Sequence, residues 1–332
     1  MTILITGAAG FIGSHVAAEL LSRGERIVGL DNMNSYYDPD LKRARLARLH
    51  DMGDFHFVPL DLGTDGGLVR ALGEHKFNSI VHLGAQAGVR YSIDNPDAYV
   101  RSNLVGHMNI LELARHTDGI EHLVYASSSS VYGGNTKLPF SESDAVETPV
   151  SLYAATKRSN EILSQSYSHL YGIPQTGLRF FTVYGPWGRP DMAYWLFTEA
   201  ILKGEKIRIF NNGDMGRDFT YIDDIVDGIL RVLDHPPAAS DGKPLFGGGK
   251  APHRVYNIGN NEPERLMDMI SILETELGIE AVKEFAPMQP GDVKETYADI
   301  SAISGDLGFK PTTPLSVGLK KFVTWYKDYY KV

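Results

Sequence analysis

Apolar positions in the first half of the chain follow two rhythms. Short continuous runs at Ile3–Thr6, Arg26–Leu30, Phe55–Leu60, Ser79–Leu83 and His122–Ala126 read as buried strands. Between them the apolar residues recur every three or four positions, as in Phe11–Arg23, where Ile12, Val16, Leu20 and Leu21 share one helical face. Further helical patterns lie at Gly66–Gly73, Ala98–Arg115 and Ser151–Tyr171, and an apolar strand at Thr176–Phe181 follows the last. Strands alternating with helices predict an α/β fold, a parallel sheet covered on both faces.

Beyond residue 181 the rhythm loosens. The stretches GPWGRPD (185–191) and NNGDMGRD (211–218) read as loops, and 235–253, dense in Gly and Pro, is the clearest loop and is expected to be mobile. A final helix, Pro314–Tyr330, packs by Leu315, Leu319, Phe322 and Trp325. No internal repeat is present.

Composition narrows the class. A chain of 332 residues suits one large fold or two unequal lobes, and 43% hydrophobic with 22% charged residues is ordinary for a globular protein. The absence of cysteine excludes disulfides and thiolate metal sites, and no metal ion is expected; a reducing cytoplasm fits. The start, MTILITGAAGFIG, reads as a buried strand rather than a signal peptide, and no apolar run approaches the ~20 residues of a bilayer span. With a net charge of −9 and no basic stripe, a nucleic-acid partner is not expected. An anionic substrate must therefore be held by individual arginines.

The run TGAAGFIG places Gly7, Gly10 and Gly13 after a strand and at the opening of a helix. Glycines let the backbone approach a pyrophosphate, and the helix N-terminus offers free N–H groups and a positive dipole end. Asp31, ending the second strand, is placed to accept bonds from a ribose 2′-OH and to repel a 2′-phosphate, which favours NAD over NADP. The same residues also suit a tight turn with Asp31 as a helix cap. Asp61, at the end of the Phe55–Leu60 strand, is a candidate for the adenine amino group or, equally, a cap for the next helix.

Tyr153 and Lys157 stand at i and i+4 on one helix face. A tyrosine of pKa ~10 is a poor base at neutral pH, but a nearby cation favours its phenolate. Tuned so, it takes a proton from an alcohol while hydride leaves the carbon. Ser127–Ser130 follow the His122–Ala126 strand, and serines at the carboxyl end of a parallel strand face the ligand crevice. An amphipathic helix and a polar turn explain the two segments as well.

Together these segments resemble the extended short-chain dehydrogenase/reductase family. The resemblance covers nearly the whole chain: TGAAGFIG, Asp31-Asn32, HLGAQAGV, YASSSSVYG, SLYAATK, RDFTYIDD and PGDV fall in the family's order. It implies a Rossmann-type doubly wound sheet, with a cofactor domain at 1–178 and a smaller C-terminal α/β substrate-binding lobe at 179–332. Segments near 220–235 and 254–260 return to the first domain. It implies Ser128, Tyr153 and Lys157 as catalytic residues. NAD would be held by Gly7, Gly10, Phe11, Ile12, Gly13, Asp31, Asn32, Asn34, Ser35, Asp61, Leu62, Leu83, Ala85, Gln86, Asn103, Tyr153 and Lys157. It also implies a homodimer through helices 98–115 and 151–171, with Leu111, Leu163 and Tyr167 compatible with that interface and equally with core packing.

Reactions of this family share oxidation of a sugar 4-OH. Its 4,6-dehydratases look like Thr-Asp-Glu where this chain has Ser128, Ser129 and Ser130, and serines cannot replace those acids. DNMNSYYD, AQAGVRYS and FFTVYGPWGRPDMA look like UDP-glucuronate 4-epimerases, while UDP-glucose 4-epimerases carry asparagine at Thr182. The resemblance implies a UDP-sugar substrate held by Arg90, Ser128, Ser129, Ser130, Tyr153, Thr182 and Arg189, with Arg217 on the diphosphate and Asp292 on the uridine ribose. Gln289 departs from the arginine usual in sugar epimerases and shifts weight to Arg217. Arg189 also suits a surface loop, Arg217 a loop salt bridge and Asp292 a turn. Because a 4-keto-5-carboxylate sheds CO2 when the breaking bond aligns with the carbonyl, an epimerase must restrain the carboxylate; Ser128–Ser130 are candidates for a hydroxyl cradle. A UDP-glucuronate decarboxylase, a UDP-glucose 4-epimerase and an NAD-binding sensor of the same fold are the alternatives.

Overall fold

The computed structural model describes residues 1–64, 66–72, 75–240, 250–288 and 294–332. Seven of its strands make one all-parallel sheet: β1 (Thr2–Thr6), β2 (Arg26–Asp31), β3 (Phe55–Pro59), β4 (Ser79–His82), β5 (His122–Ser128), β6 (Gln175–Phe180) and β7 (His253–Ile258), in the order β7-β6-β5-β4-β1-β2-β3. Successive side chains of a strand face opposite ways. Ile3 and Ile5 of β1 thus join Val81, Val124 and Leu178 beneath helices Phe11–Ser22 and Ile222–Leu233. Leu4 joins Val28, Leu30, Ile80 and Leu123 beneath helices Gly67–Leu72, Gly106–His116 and Leu152–Tyr171. Both faces are therefore dry, as the near-continuous apolar runs require. The order in which strands are added reverses at β1, which has β2 on one side and β4 on the other, and the ligand crevice opens there, beyond the carboxyl ends of the strands.

The remaining elements stand over that edge. Strand Gly216–Tyr221 pairs with Pro263–Arg265, Glu295–Thr296 and Thr182–Tyr184, and Lys206–Ile209 pairs with Val282–Phe285. Helices Ala193–Leu202, Leu266–Leu277 and Leu315–Tyr330 pack around them.

Several expectations need revision. Gly216–Asp218 form a strand rather than a loop, because their backbones pair on both sides. The 98–115 helix is a run of Pro96–Tyr99, a π-helical turn at Val100–Val105 and Gly106–His116. Leu111 is fully buried and Tyr167 is 7% exposed, with Leu163 packed against the same cluster, so core packing accounts for all three. Residues 241–249 of the expected mobile loop lie outside the described residues. Helix Pro39–His50, capped by the Asp38 carboxylate on Asp40 N–H, was not read from the sequence; its Asp-Pro start is the signal.

One buried ion pair ties the sheet to its longest interior helix. Arg179 in β6 meets Glu161 through Nε–Oε1 at 2.8 Å and Nη2–Oε2 at 2.9 Å, both side chains at most 1% exposed. Ser127 Oγ at the end of β5 donates to Glu161 Oε1 at 2.6 Å, and Arg158 adds a bond at 2.9 Å. Burial opposes ionisation of Glu161, but the Arg179 bonds and charge override it and lower its pKa. This stabilisation is complete above the ordinary carboxylate range and is lost as pH falls through the lowered value. Removing one partner of such a pair costs about 3–5 kcal/mol. Glu161→Ala is expected to lose that much in urea unfolding, and Glu161→Leu with Arg179→Met to lose clearly less than the single change. Equal losses would remove the ion pair from this role.

Candidate active site

A cavity of about 920 Å³ occupies the crevice, at the upper end of the range for small-ligand sites. The glycine loop forms one wall. Gly7 has φ +70°, and a Cβ on Gly13 would stand 2.1 Å from the Gly7 carbonyl, so backbone fills the place of side chains. Gly10 N–H closes the turn on Gly7 O at 2.8 Å, and the helix begins at Phe11. The fit to a dinucleotide pyrophosphate is thus made by backbone, at a helix N-terminus.

Most cofactor candidates line this wall: Gly7, Gly10, Phe11, Ile12, Gly13, Asp31, Asn32, Asn34, Asp61, Leu62, Leu83, Ala85 and Gln86. Asp31 accepts from Met33 N–H at 2.9 Å, with Lys42 Nζ 3.9 Å away. Asp61 accepts from Asn32 Nδ2 and from Gly63 N–H, both at 2.8 Å, so it braces the Asn32 loop as well as capping its own turn. Two candidates do not reach the cavity. Ser35 is solvent-exposed and lies outside the lining. Asn103, 1% exposed in the π-helical turn, spends its amide on Gln86 N–H, Gln86 O and Thr156 Oγ1. It holds Gln86 in place instead of facing a ligand.

The opposite wall carries the proposed chemistry. Ser151 caps helix Leu152–Tyr171 by accepting from Ala154 N–H at 3.1 Å, which sets Tyr153 in the first turn and Lys157 one turn later. Ser128, the last residue of β5, bonds Tyr153, and its Oγ donates to Ser130 Oγ at 3.2 Å. Ser128, Ser129, Ser130, Tyr153, Lys157 and Thr182 all line the cavity. Lys157 Nζ donates to Ala126 O at 2.9 Å, and burial lowers its pKa to about 8.

The electrostatics at Tyr153 differ from the sequence expectation. Burial raises its pKa, while the Ser128 bond and the charge of Arg189 pull it down. Arg189 favours the Tyr153 phenolate and Asp191 opposes it, while Lys157 disfavours protonation of the buried His82 and His107, which burial already keeps neutral. Arg189 sits in a loop, its side chain 27% exposed. It forks onto Asp191 through Nε at 3.0 Å and Nη2 at 2.5 Å, and Tyr36 OH donates to Asp191 at 3.1 Å. Arg189, Asp191 and Tyr36 all line the cavity.

At the far end Arg217, in a strand, donates to Gly216 O and Lys294 O at 2.8 and 3.1 Å and faces the cavity together with Arg90. Asp292 and Gln289 lie outside the described residues. Sequence reading missed Asp191, Tyr36 and Glu161. A charged Arg179 inside the apolar run TGLRFF was the available signal for Glu161, since a buried strand tolerates a cation only with a partner.

Lys157 binds its proton less tightly folded, at about 8, than its ordinary 10.5. Between these values the unfolded chain holds more protons, so this residue makes stability rise with pH there, and its cost is fully present below pH 8. Melting curves of Lys157→Met are expected to gain on wild type most at pH 7 and to lose that advantage toward pH 10. A pH-independent difference would mean that burial leaves the Lys157 pKa at its ordinary value.

A model of the NAD-dependent epimerase/dehydratase family matches residues 3–259. UDP-glucuronate 4-epimerase 4 of Arabidopsis thaliana is 52% identical over 337 residues, 99% of this chain and 76% of that protein. The crystal structure of a Bacillus cereus UDP-glucuronic acid 4-epimerase with UDP-glucuronic acid and NAD superposes with a TM-score of 0.88 at 36% identity, covering 99% of this chain and all of that one. A UDP-glucose 4-epimerase from Thermotoga maritima reaches 0.85 at 28% identity, over 99% of this chain and all of that one. A glycine loop, an alternating parallel sheet and a Ser–Tyr–Lys wall, together with a family match over most of its length, place this chain in the NAD-dependent epimerase/dehydratase family.

Proposed function

We propose that this protein interconverts UDP-glucuronate and UDP-galacturonate by inverting the sugar's C4 centre, using tightly held NAD. The carrying observation is the company around Tyr153. Hydroxyls of Ser128–Ser130 and the Arg189 cation share its cavity wall. Asp191 is also there, but burial and Arg189 act on it in opposite directions and Arg189 prevails, lowering its pKa. A carboxylate held ionised by Arg189 and Tyr36 is unfit to shuttle protons, and the site offers what a sugar carboxylate needs: hydroxyl donors and a cation.

NAD, which the glycine loop, Asp31 and Lys157 would hold, would supply a reversible hydride acceptor for C4. The chain's residues do the rest. Tyr153 accepts the 4-OH proton, with Ser128 on the same oxygen, and returns it once the ring has turned its other face. Lys157, one turn below, is placed to bond the nicotinamide ribose. Arg189 favours the phenolate. Ser129 and Ser130 bond the carboxylate and keep its bond to C5 out of line with the carbonyl. Arg217 and Arg90 neutralise the diphosphate against a net charge of −9.

No helix among the described residues is long and apolar enough to cross a membrane. A cytoplasmic site suits a chain without cysteine. We also propose a homodimer, through apolar side chains that the protomer leaves exposed on helix Leu152–Tyr171 and on the turn before helix Gly106–His116: Val105, Ile162 (54% exposed) and Leu170 (65% exposed). Wild type is expected to scatter as a dimer and Ile162→Glu/Leu170→Glu as a monomer; identical masses would dismiss this surface.

Carbon-13 NMR of UDP-glucuronate with the purified protein should show galacturonate signals growing to equilibrium without CO2. Tyr153→Phe should lower kcat by about 10²–10⁴. Pentose and CO2 as main products would make the protein a decarboxylase, and silence toward every UDP-sugar would end the proposal.

A further inference from the structure

Arg45 is a fully buried cation, and among the described residues no carboxylate pairs with it. Its helix places it between Leu41 and Leu49, four residues from each, in the stripe turned to the core. All five guanidinium hydrogens are nonetheless spent. Nε and Nη2 donate to Trp187 O at 3.1 and 2.7 Å, Nη2 also to Gly188 O at 2.6 Å, and Nη1 to Ala9 O at 3.0 Å and Tyr37 OH at 2.7 Å.

These acceptors belong to two different binding walls. Ala9 lies in the glycine loop. Trp187 and Gly188 immediately precede Arg189. Trp187 has φ +60°, a backbone state that is strained for a non-glycine residue and persists only where the surroundings impose it. Two of those surroundings are visible: the Arg45 bonds to its carbonyl, and an indole packed between Arg48 at 4.8 Å and the rings of Trp325 and Tyr329 at 5.1 and 5.2 Å. A second strap, Tyr36 OH to Asp191, runs from the loop after Asp31 to the same segment.

We propose that Arg45 is a positioning residue that joins the cofactor loop to the 185–191 segment, fixes Arg189 beside Tyr153, and so keeps the oxidised sugar from losing CO2. The inference rests on the proposed UDP-glucuronate chemistry. The reaction it suppresses is explicit. The C5–C6 bond breaks, its electron pair moves into the C4 carbonyl as an enolate, CO2 departs, and a solvent proton enters at C5. Hydride returned to C4 then completes a UDP-pentose, with no net oxidant consumed. A loop free to drift by about 1 Å lets the carboxylate rotate into alignment, because positional errors of that size alter reactivity strongly.

Arg45→Lys and Arg45→Met separate charge from fork: the first keeps a cation with three donors, the second keeps only bulk. Both are expected to raise the pentose share of product at least tenfold, with KM within threefold of wild type. Combined with Arg189→Ala, neither should add to the pentose share that Arg189→Ala gives alone. A lower kcat with an unchanged pentose share in both variants would reduce Arg45 to a structural residue. If Arg45→Met fails to fold, Arg45→Lys decides by the same criterion. Hydrogen exchange of the 185–191 amides in substrate-free protein supplies a readout that does not need the sugar assignment. It should accelerate at least tenfold in Arg45→Lys, and unchanged protection overturns the clamp even if wild type proves to act on another UDP-sugar.

Discussion

Arg179 and Glu161 bury opposite charges in the interior of the sheet-helix sandwich, and the alignment of the reacting groups depends on their meeting. Glu161 lies one turn beyond Lys157 and two beyond Tyr153 on helix Leu152–Tyr171. The same carboxylate accepts from Ser127, the residue before Ser128. One ion pair therefore sets the height of the helix against β6 and, through Ser127, against the end of β5. A hydrophobic contact would allow sliding; two parallel charge-assisted bonds plus a serine do not. Arg179 Nη1 reaches on to Tyr132 OH at 3.0 Å, whose proton goes to Asn257 of β7 at 2.6 Å, so the constraint spans three strands.

Charge around Tyr153 is arranged in layers. Lys157 sits beneath it, desolvated, with a pKa near 8 and a single carbonyl contact, and its remaining donors fit a ribose. Arg189 stands beside it, and Asp191 keeps that guanidinium both ionised and oriented. Tyr153 itself is pushed upward by burial, so in this state it is a phenol. In the proposed mechanism a positively charged nicotinamide would favour its phenolate and so couple the proton acceptor to the oxidant.

Much of this was legible in the chain because the local signals agreed. The strand-glycine-helix order at residues 2–22 and the Ser151 cap before Tyr153 each use short-range chemistry, and the structure places Gly7, Gly13, Ser128, Tyr153 and Lys157 around one cavity. What escaped was long-range. The bonds of Asn103 to Gln86 and Thr156 could not be foreseen, since nothing in its neighbours in sequence foretells them. Leu111 and Tyr167 repeat with helical spacing, but spacing does not tell a core from an interface. Gly216–Asp218 read as a loop because its pairing partners lie far along the chain. Arg45 was hidden by its charge: an arginine at a stripe position looks like an interruption until four carbonyl and hydroxyl acceptors are found converging on it.

Epimerisation asks for contradictory behaviour, since the sugar ring must turn over while its carboxylate stays out of alignment. The structure separates the two demands by placing rigidity entirely in the protein. Ser128 and Tyr153 are locked by the Glu161 network, and Arg189 is locked by Asp191 and by the segment that Arg45 clamps. In the proposed mechanism the proton shuttle and the cation are both fixed in the same wall, and the element that would move is the substrate's sugar ring, pivoting on a diphosphate assigned to Arg217. A loose wall would follow the ring and carry the carboxylate with it; a fixed one lets the ketone change faces while the carboxylate finds the same donors on both sides of the turn.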